Sequence, residues 1–245
     1  MIKDFSNGAG YLLKGFALLN KPGIKRYVII PLLINIILFT GLIWLLSDQF
    51  GVFIDWLTPS LPNWLSWLTW LLWVIFALLA ALLIFFSFTV IANLVGAPFN
   101  SYLAAAVELH LTGQKPAGGD LSLPAEIVKS IKSEISKILY ALLWLIPLLI
   151  ITVIPGLNFI SPLLWAWFGA WMLAIEYGDY PLGNHGYGFA EIRATLKQHR
   201  WLALGFGGAA TLATMIPLVN FFVMPMAVAG ATRMRVEQIK ISEHT

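Results

Sequence analysis

YVIIPLLINIILFTGLIWLLS, Tyr27 to Ser47, holds no charged side chain and decides what kind of protein this is. A hydrocarbon core of about 30 Å is crossed by about 20 helical residues rising 1.5 Å each, and this run fits one crossing. Working outward, charge is also missing from Trp56–Val107, Ile138–Ile175 and Trp201–Thr232. The 245 residues carry 15 Lys+Arg and 12 Asp+Glu, only 11% charged, with 59% apolar residues and a mean hydropathy of +0.82. Soluble domains run near 25% charged and 45–50% apolar, so the chain is an integral membrane protein. There is no Cys, which excludes disulfides, thiolate metal sites and a Cys nucleophile. A net charge of +3, scattered along the chain, does not suit a nucleic-acid partner.

The four gaps differ in kind. The second holds the apolar run Trp64–Val95, longer than one crossing, and continues as a tail through Glu108. The third and fourth are each interrupted near the middle, by IPGLNFISP (Ile154–Pro162) and IPLVNFFVMP (Ile216–Pro225). Both carry I-P-x-x-N-F followed by a second Pro. The uncharged arms around them are short, Ile138–Val153, Leu163–Ile175, Trp201–Thr214 and Met226–Thr232. Arms of this length read as two related hairpins that dip into the bilayer and return. Interrupted backbone at that depth needs protein or water as a partner, and paired interruptions point to a transport pathway. Four short spanning helices joined by tight turns are the alternative.

The expected architecture is therefore all-α and forms a single membrane domain over 1–245. An interfacial helix occupies 1–20, spanning helices 22–47 and 60–110, and half-penetrating, Pro-broken hairpins 122–180 and 189–240. In the N-terminal segment Phe5, Ala9, Leu12, Leu13, Phe16 and Leu19 fall near one face, as in a helix lying in the bilayer interface. Ser122–Lys137 reads as a solvent-facing helix entrance. Small residues at Ala166, Ala170 and Ala174, and at Gly205, Ala209 and Ala213, would let helices approach closely. Basic residues cluster before Tyr27, in 100–137, in 176–200 and in the tail, whereas 48–55 has only Asp48 and Asp55. The positive-inside rule then puts both termini in the cytoplasm and only the 48–63 loop outside. Trp44, Trp56, Trp64 and Trp67 fit an aromatic belt at that loop. The N-terminus has no pattern of a cleavable signal peptide.

Catalysis has little to work with. His110, His185, His199 and His244 show no metal-ligand spacing, no phosphate-binding loop or nucleophile elbow occurs, and the only compact acidic pair is Glu176/Asp179. Neither an enzyme activity, a metal nor a cofactor is expected. One segment does carry chemistry, NKPGIKRYVIIP, Asn20–Pro31. If a helix starts at Pro22, the N–H groups of Gly23, Ile24 and Lys25 are free at its positive end. Lys25 and Arg26 add full charges, giving the makings of a sulfate or phosphate site. The plainer alternative has Lys25 and Arg26 merely anchoring the span.

KPGIKRYVIIPLLIN (Lys21–Asn35), IANLVGAPFN (Ile91–Asn100), ELHLTG (Glu108–Gly113), AWMLAIEYGDYPLGNH (Ala170–His185) and TMIPLVNFFVMPMAVAGAT (Thr214–Thr232) together resemble the CysZ family of bacterial sulfate permeases. The resemblance covers nearly the whole chain. It implies inward sulfate movement for cysteine biosynthesis across a bacterial inner membrane, and two long spanning helices with two half-penetrating hairpins. It also implies assembly as a homo-oligomer, a dimer or larger. The family's sulfate site falls on Gly23, Ile24, Lys25 and Arg26; Lys25 stands where Arg also occurs in the family. Asn35, Asn93 and Glu108 are candidates for lining a pathway, as are Asn158 and Asn220. The plainer reading has the amides bonding between helices and Glu108 in a cytoplasmic salt bridge. Asp179, in DYPLGNH, is a candidate helix cap. Against the permease stands a membrane scaffold or lipid-interaction protein with no transport activity.

Overall fold

The computed structural model describes residues 1–57, 64, 66–116 and 123–240. Among the described residues the regular structure is helical throughout: α1 Ile2–Leu18, α2 Arg26–Leu57, α3 Ser66–Thr112, α4 Leu123–Val153, α5 Ser161–Gly183, α6 Phe189–Gln198, α7 Arg200–Thr214 and α8 Pro217–Gln238. Among the described residues three stretches are long and apolar enough to cross a membrane: Arg26–Val52, Ile131–Val153 and Asn158–Gly183. The chain gathers into two compact units, Tyr27–Phe99 and Met1–Arg26 with Asn100–Thr245.

In the Tyr27–Phe99 unit, α2 runs ten residues beyond the expected limit at 47, carrying Asp48 and Asp55 on the helix rather than in a loop. The remainder of the expected outward loop, 58–63, lies outside the described residues. Phe50 of α2 stacks on Phe76 of α3 with ring centres 3.8 Å apart, and Trp73 meets the same ring edge-on at 4.5 Å.

The other unit is built around glycine. A Cβ on Gly8 of α1 would lie 2.0 Å from the Leu202 carbonyl oxygen of α7, and one on Gly205 of α7 would lie 1.9 Å from the Phe5 oxygen. A Cβ on Gly15 of α1 would lie 2.1 Å from the Met226 oxygen of α8, and one on Gly207 of α7 1.8 Å from the Ala170 oxygen of α5. Backbone packs directly on backbone at each crossing, as small residues allow in membrane helices. Around these points Tyr11, Leu12, Phe206, Ala210, Ala174 and Ala227 are buried. Of the small-residue stripes, Ala170, Ala174, Gly205 and Ala213 face the core, while Ala166 is exposed and Ala210 is buried more deeply than Ala209.

This packing redraws α1. The expected apolar face splits: Leu12 and Leu19 turn inward with Gly8, Tyr11, Gly15 and Leu18, while Phe5, Leu13 and Phe16 stay exposed. The glycines decide it, because only their side of the helix lets α7 and α8 come close. The exposed row of Ile2, Phe5, Leu13 and Phe16 remains a second apolar stripe, separate from the buried one.

The interruptions also sharpen. At the first, the chain leaves α4 at Val153, turns through Gly156 (φ +85°) and a 3₁₀ turn Asn158–Ile160, and enters α5 with Pro162 in its first turn. The tip supplies its own partners: Leu157 and Asn158 donate to the Ile154 oxygen at 3.2 and 3.1 Å, and Ile160 donates to Leu157 at 3.2 Å. The expectation that tip amides must seek protein or water therefore does not hold for these three. The second interruption is only Met215–Ile216, because Pro217 starts α8 at a position where a missing N–H is harmless and Pro225 lies inside the helix. The expected break over Ile216–Pro225 is mostly helix. The expected entrance 122–137 is the first part of α4, one continuous helix of 31 residues running to Val153.

Candidate functional site: a cationic turn and a buried charge cluster

Between α1 and α2 the chain makes a turn, not a helix start. Gly23 has φ +86°, a left-handed conformation that an L side chain rarely adopts and that a helix cannot contain. Ile24 and Lys25 both donate to the Lys21 carbonyl, at 3.1 and 3.3 Å. The expectation that α2 begins at Pro22 with three free N–H groups is thus corrected. The N–H groups of Ile24 and Lys25 are occupied, that of Gly23 has no partner among the described residues, and the positive end of the α2 dipole stands at Arg26.

What the turn achieves instead is presentation. Ile24 is 1% exposed, locked into the core of its unit, while Gly23, Lys25 and Arg26 around it are exposed. One apolar side chain pins the loop, and its neighbours are held out as a cationic tip with an open glycine. Lys25 forms no ion pair among the described residues. A tip of this kind suits a small, strongly hydrated anion, which would meet two cations and one backbone donor together.

The candidate pathway residues part company. Asn35 is half-buried on α2, and its Oδ1 is shielded without a hydrogen-bond partner. Asn93 lies on α3, with its side chain outside the described residues. Asn158 opens the 3₁₀ turn and Asn220 lies in the first turn of α8. Glu108 is 5% exposed, and its Oε1 lies 2.9 Å from Arg235 Nη1 of α8 and 2.8 Å from His185 Nε2, just beyond α5. Arg235 Nη2 touches that same His185 nitrogen, while Arg235 Nε is buried with no partner. Glu108 thus does pair with a basic residue, but inside the protein rather than on a wet surface.

The DYPLGNH block explains how this corner is held. Asn184 donates to the Ser101 carbonyl at 2.9 Å and Asn100 to the Tyr180 hydroxyl at 3.3 Å, clamping the end of α3 against the end of α5. Asp179 does not cap a helix. It joins Glu176 and Glu134 around the Lys137 ammonium, at 3.0, 2.8 and 2.6 Å, with Ser133 donating to it at 3.5 Å. Lys137 is 5% exposed. Sequence reasoning did not single out Lys137, although the acidic pair Glu176/Asp179, three apart on one helix face, was the available signal.

A third cluster lies at the C-terminal end of α8. The Tyr11 hydroxyl donates to Glu237 at 2.8 Å, Arg233 donates to the same carboxylate at 2.6 Å, and Lys14 stands 3.5 Å away. Partial burial pushes the Glu237 carboxyl up, but the bonds from Arg233 and Tyr11 outweigh it and hold it below the usual range. Burial and then the Glu237 carboxylate push Tyr11 up. Among the described residues no group of His, Asp and Glu is placed to hold a metal ion.

Fold and site together define a class: a helical integral membrane protein that displays a pinned cationic turn and holds Glu108, Lys137 and Arg235 paired in its interior. The chain belongs to the family described as Sulfate transporter CysZ/Etoposide-induced protein 2.4, which matches residues 11–225. It is 44% identical over 228 residues to "Sulfate transporter CysZ" of Pseudomonas fluorescens strain Pf0-1, covering 92% of this chain and 91% of that one. The protein of the same description from strain Pf-5 is 48% identical, covering 92% of each. That of Pectobacterium atrosepticum is 41% identical over 236 residues, 96% of this chain and 86% of its own.

Proposed function

We propose that this chain is a sulfate permease of the bacterial inner membrane, importing sulfate for assimilation into cysteine without an ATPase or enzyme activity of its own. The observation that carries the reading is the turn at Gly23–Arg26: Ile24 is buried, and Gly23, Lys25 and Arg26 are held exposed around it. The identity to proteins named sulfate transporters supports sulfate as the anion. Gly23 offers its N–H, Lys25 and Arg26 their charges, and Ile24 positions them; Asn35, Asn93 and Glu108 are assigned to the pathway or its walls. Two helices cross the bilayer and the hairpins at 122–180 and 189–240 dip and return, with α1 in the interface and both termini cytoplasmic. The 15 residues of α7 reach about 22 Å, short of a full crossing, which favours a dip at the second hairpin. Subunits assemble as a homo-oligomer that covers the exposed apolar faces.

The test is labelled sulfate uptake into proteoliposomes, compared with chloride and phosphate. Selective sulfate entry is expected, and equal leakage of all three anions, or none, would return the scaffold alternative. Replacing Lys25 and Arg26 together by Ala removes two charge-assisted contacts of about 1.5–3 kcal/mol each, a fall of two or more decades in affinity.

A further inference from the structure

Arg193 and Lys197 of α6 and Arg200 at the start of α7 are exposed, and none of them enters an ion pair among the described residues. The carboxylate on the same stretch, Glu191, is occupied at Oε2 by the Gly188 N–H at 2.7 Å. α6 turns Ile192 and Leu196 inward, which leaves Arg193 and Lys197 one turn apart on its outer side. A run of cations is most often a plain solvated face. This one differs in what it stands on.

The Arg193 guanidinium lies over the Tyr140 ring of α4 at 5.0 Å and near the Phe189 ring at 5.8 Å, and that of Arg200 lies over Trp201 at 5.5 Å. Trp201 meets the exposed Trp167 of α5 edge-on at 5.7 Å. The same Trp201 side chain lines an apolar cleft with Met1 and with Ile2 and Phe5 of α1, all three exposed. Cations resting on aromatic rings, with an apolar cleft beside them, are what the boundary between hydrocarbon and water favours. Rings and cleft meet acyl chains while the guanidinium groups reach the headgroup layer. Charge then selects the headgroup. A phosphatidylglycerol brings a phosphodiester and no cation of its own, whereas a phosphatidylcholine brings an ammonium that three unpaired cations repel.

We propose that the corner between α6 and α7 is a binding site for anionic phospholipid, with the phosphodiester held among Arg193, Lys197 and Arg200 and an acyl chain laid in the cleft of Met1, Ile2, Phe5 and Trp201. The proposal goes beyond the permease reading and uses none of Gly23–Arg26. Sulfate uptake is a separate measurement, so failure here leaves that reading standing.

The test uses the full-length chain in vesicles, with a bimane fluorophore on Gln198→Cys, a unique thiol because the chain has no cysteine. Gln198 is exposed between Lys197 and Arg200. In mixed vesicles of phosphatidylcholine and phosphatidylglycerol, the acyl chains of one lipid or the other are brominated, and quenching reports which lipid occupies the position. Each cation within reach is worth about fivefold at low salt, so a preference for phosphatidylglycerol of about tenfold or more is expected. None is expected for bimane on Leu218→Cys, exposed beyond the far end of α7. Arg193→Gln/Lys197→Gln/Arg200→Gln should bring the preference at Gln198→Cys to about one. A parent preference near one, an equal preference at Leu218→Cys, or a preference that survives the triple substitution overturns the proposal. Potassium chloride decides on the parent alone should the triple variant not insert: a preference that collapses with salt supports a headgroup contact, and a flat one overturns it. Sodium sulfate or inorganic phosphate at matched ionic strength should weaken the preference no more than chloride does. Stronger displacement would assign the three cations to a soluble oxyanion and overturn the lipid site.

Discussion

Gly8 and Gly10 sit two residues apart on α1, on different faces, and the structure assigns them opposite responses to the same methyl group. A Cβ on Gly8 would lie 2.0 Å from the Leu202 oxygen and 2.9 Å from Phe206 N, both backbone, where real Cβ atoms keep 3.0 Å or more. No side chain can rotate away, so α1 must move off α7 by about 1 Å, and such a gap forfeits a quarter to a half of each affected dispersion contact. Overpacking of this kind costs about 1–3 kcal/mol, against which the better helix propensity of Ala returns about 1 kcal/mol. A Cβ on Gly10 meets nothing within 4 Å, so the propensity gain stands alone. Gly8→Ala is thus expected to loosen α1 by up to about 2 kcal/mol and Gly10→Ala to firm it by up to about 1 kcal/mol. Because the chain has no cysteine, a single Cys at buried Leu12 reports undocking through its labelling rate in detergent. Labelling should quicken in Gly8→Ala and slow in Gly10→Ala relative to the Leu12→Cys parent. Equal rates in all three would refute the claim that backbone contact at Gly8 sets the position of α1.

The remaining expectations use the same handles. Glu237 is held below its usual range, so its tie between α1 and α8 is present above the unfolded value near 4.5 and lost as pH falls through the folded one. Leu12→Cys labelling, taken relative to a Cys at exposed Leu13 at the same pH to cancel the loss of thiolate, should therefore rise on acidification below about pH 4.5, and Glu237→Gln should label fast even at neutral pH. Lys137→Met leaves Glu134, Glu176 and Asp179 facing one another without a cation; since these carboxylates keep 21–59% of their exposure, a loss of about 1–3 kcal/mol is expected, less than for a fully buried pair. Restoring thermal stability by Lys137→Met with Asp179→Asn and Glu176→Gln is the check on that cause. Ile24→Ala deletes a fully buried side chain worth about 2–5 kcal/mol and should weaken sulfate binding without touching either cation; unchanged affinity would mean the turn needs no pin.

How much of this was written in the sequence follows from what each signal depends on. The absence of charge over Tyr27–Ser47 announces a membrane helix because the bilayer imposes the requirement on every side chain. The hairpin at Ile154–Ile160 was equally legible, since Pro155 and Gly156 each interrupt a helix by local geometry. Pro225 misled because the same residue is tolerated within α8, where packing and not local preference decides. The faces of α1 were misread for a related reason: apolarity told which residues avoid water, not whether they avoid it against protein or lipid. Phe5 and Leu12 are alike in that respect, and only the glycines on the Leu12 side separate them. The cluster of Glu108, His185 and Arg235 was invisible for another reason again. Its members are 50 to 127 positions apart in pairs that no periodicity links.

The turn at Gly23 shows how a correct set of residues can rest on the wrong geometry. Read as a helix start, Gly23–Arg26 would bind an anion through three free amides and the dipole. Folded as a turn, it spends two of those amides on the Lys21 carbonyl and keeps one. The balance of the site therefore moves from backbone dipoles to the Lys25 and Arg26 charges, which are exposed and screened by salt. A site dominated by amides would bind with little dependence on ionic strength, whereas one dominated by two exposed cations should weaken steeply as inert salt is added. Sulfate binding measured across a range of potassium chloride concentrations separates the two. A flat profile would put the anion back on the backbone, and with it a rearrangement of Lys21–Lys25 that frees the Ile24 and Lys25 amides on binding.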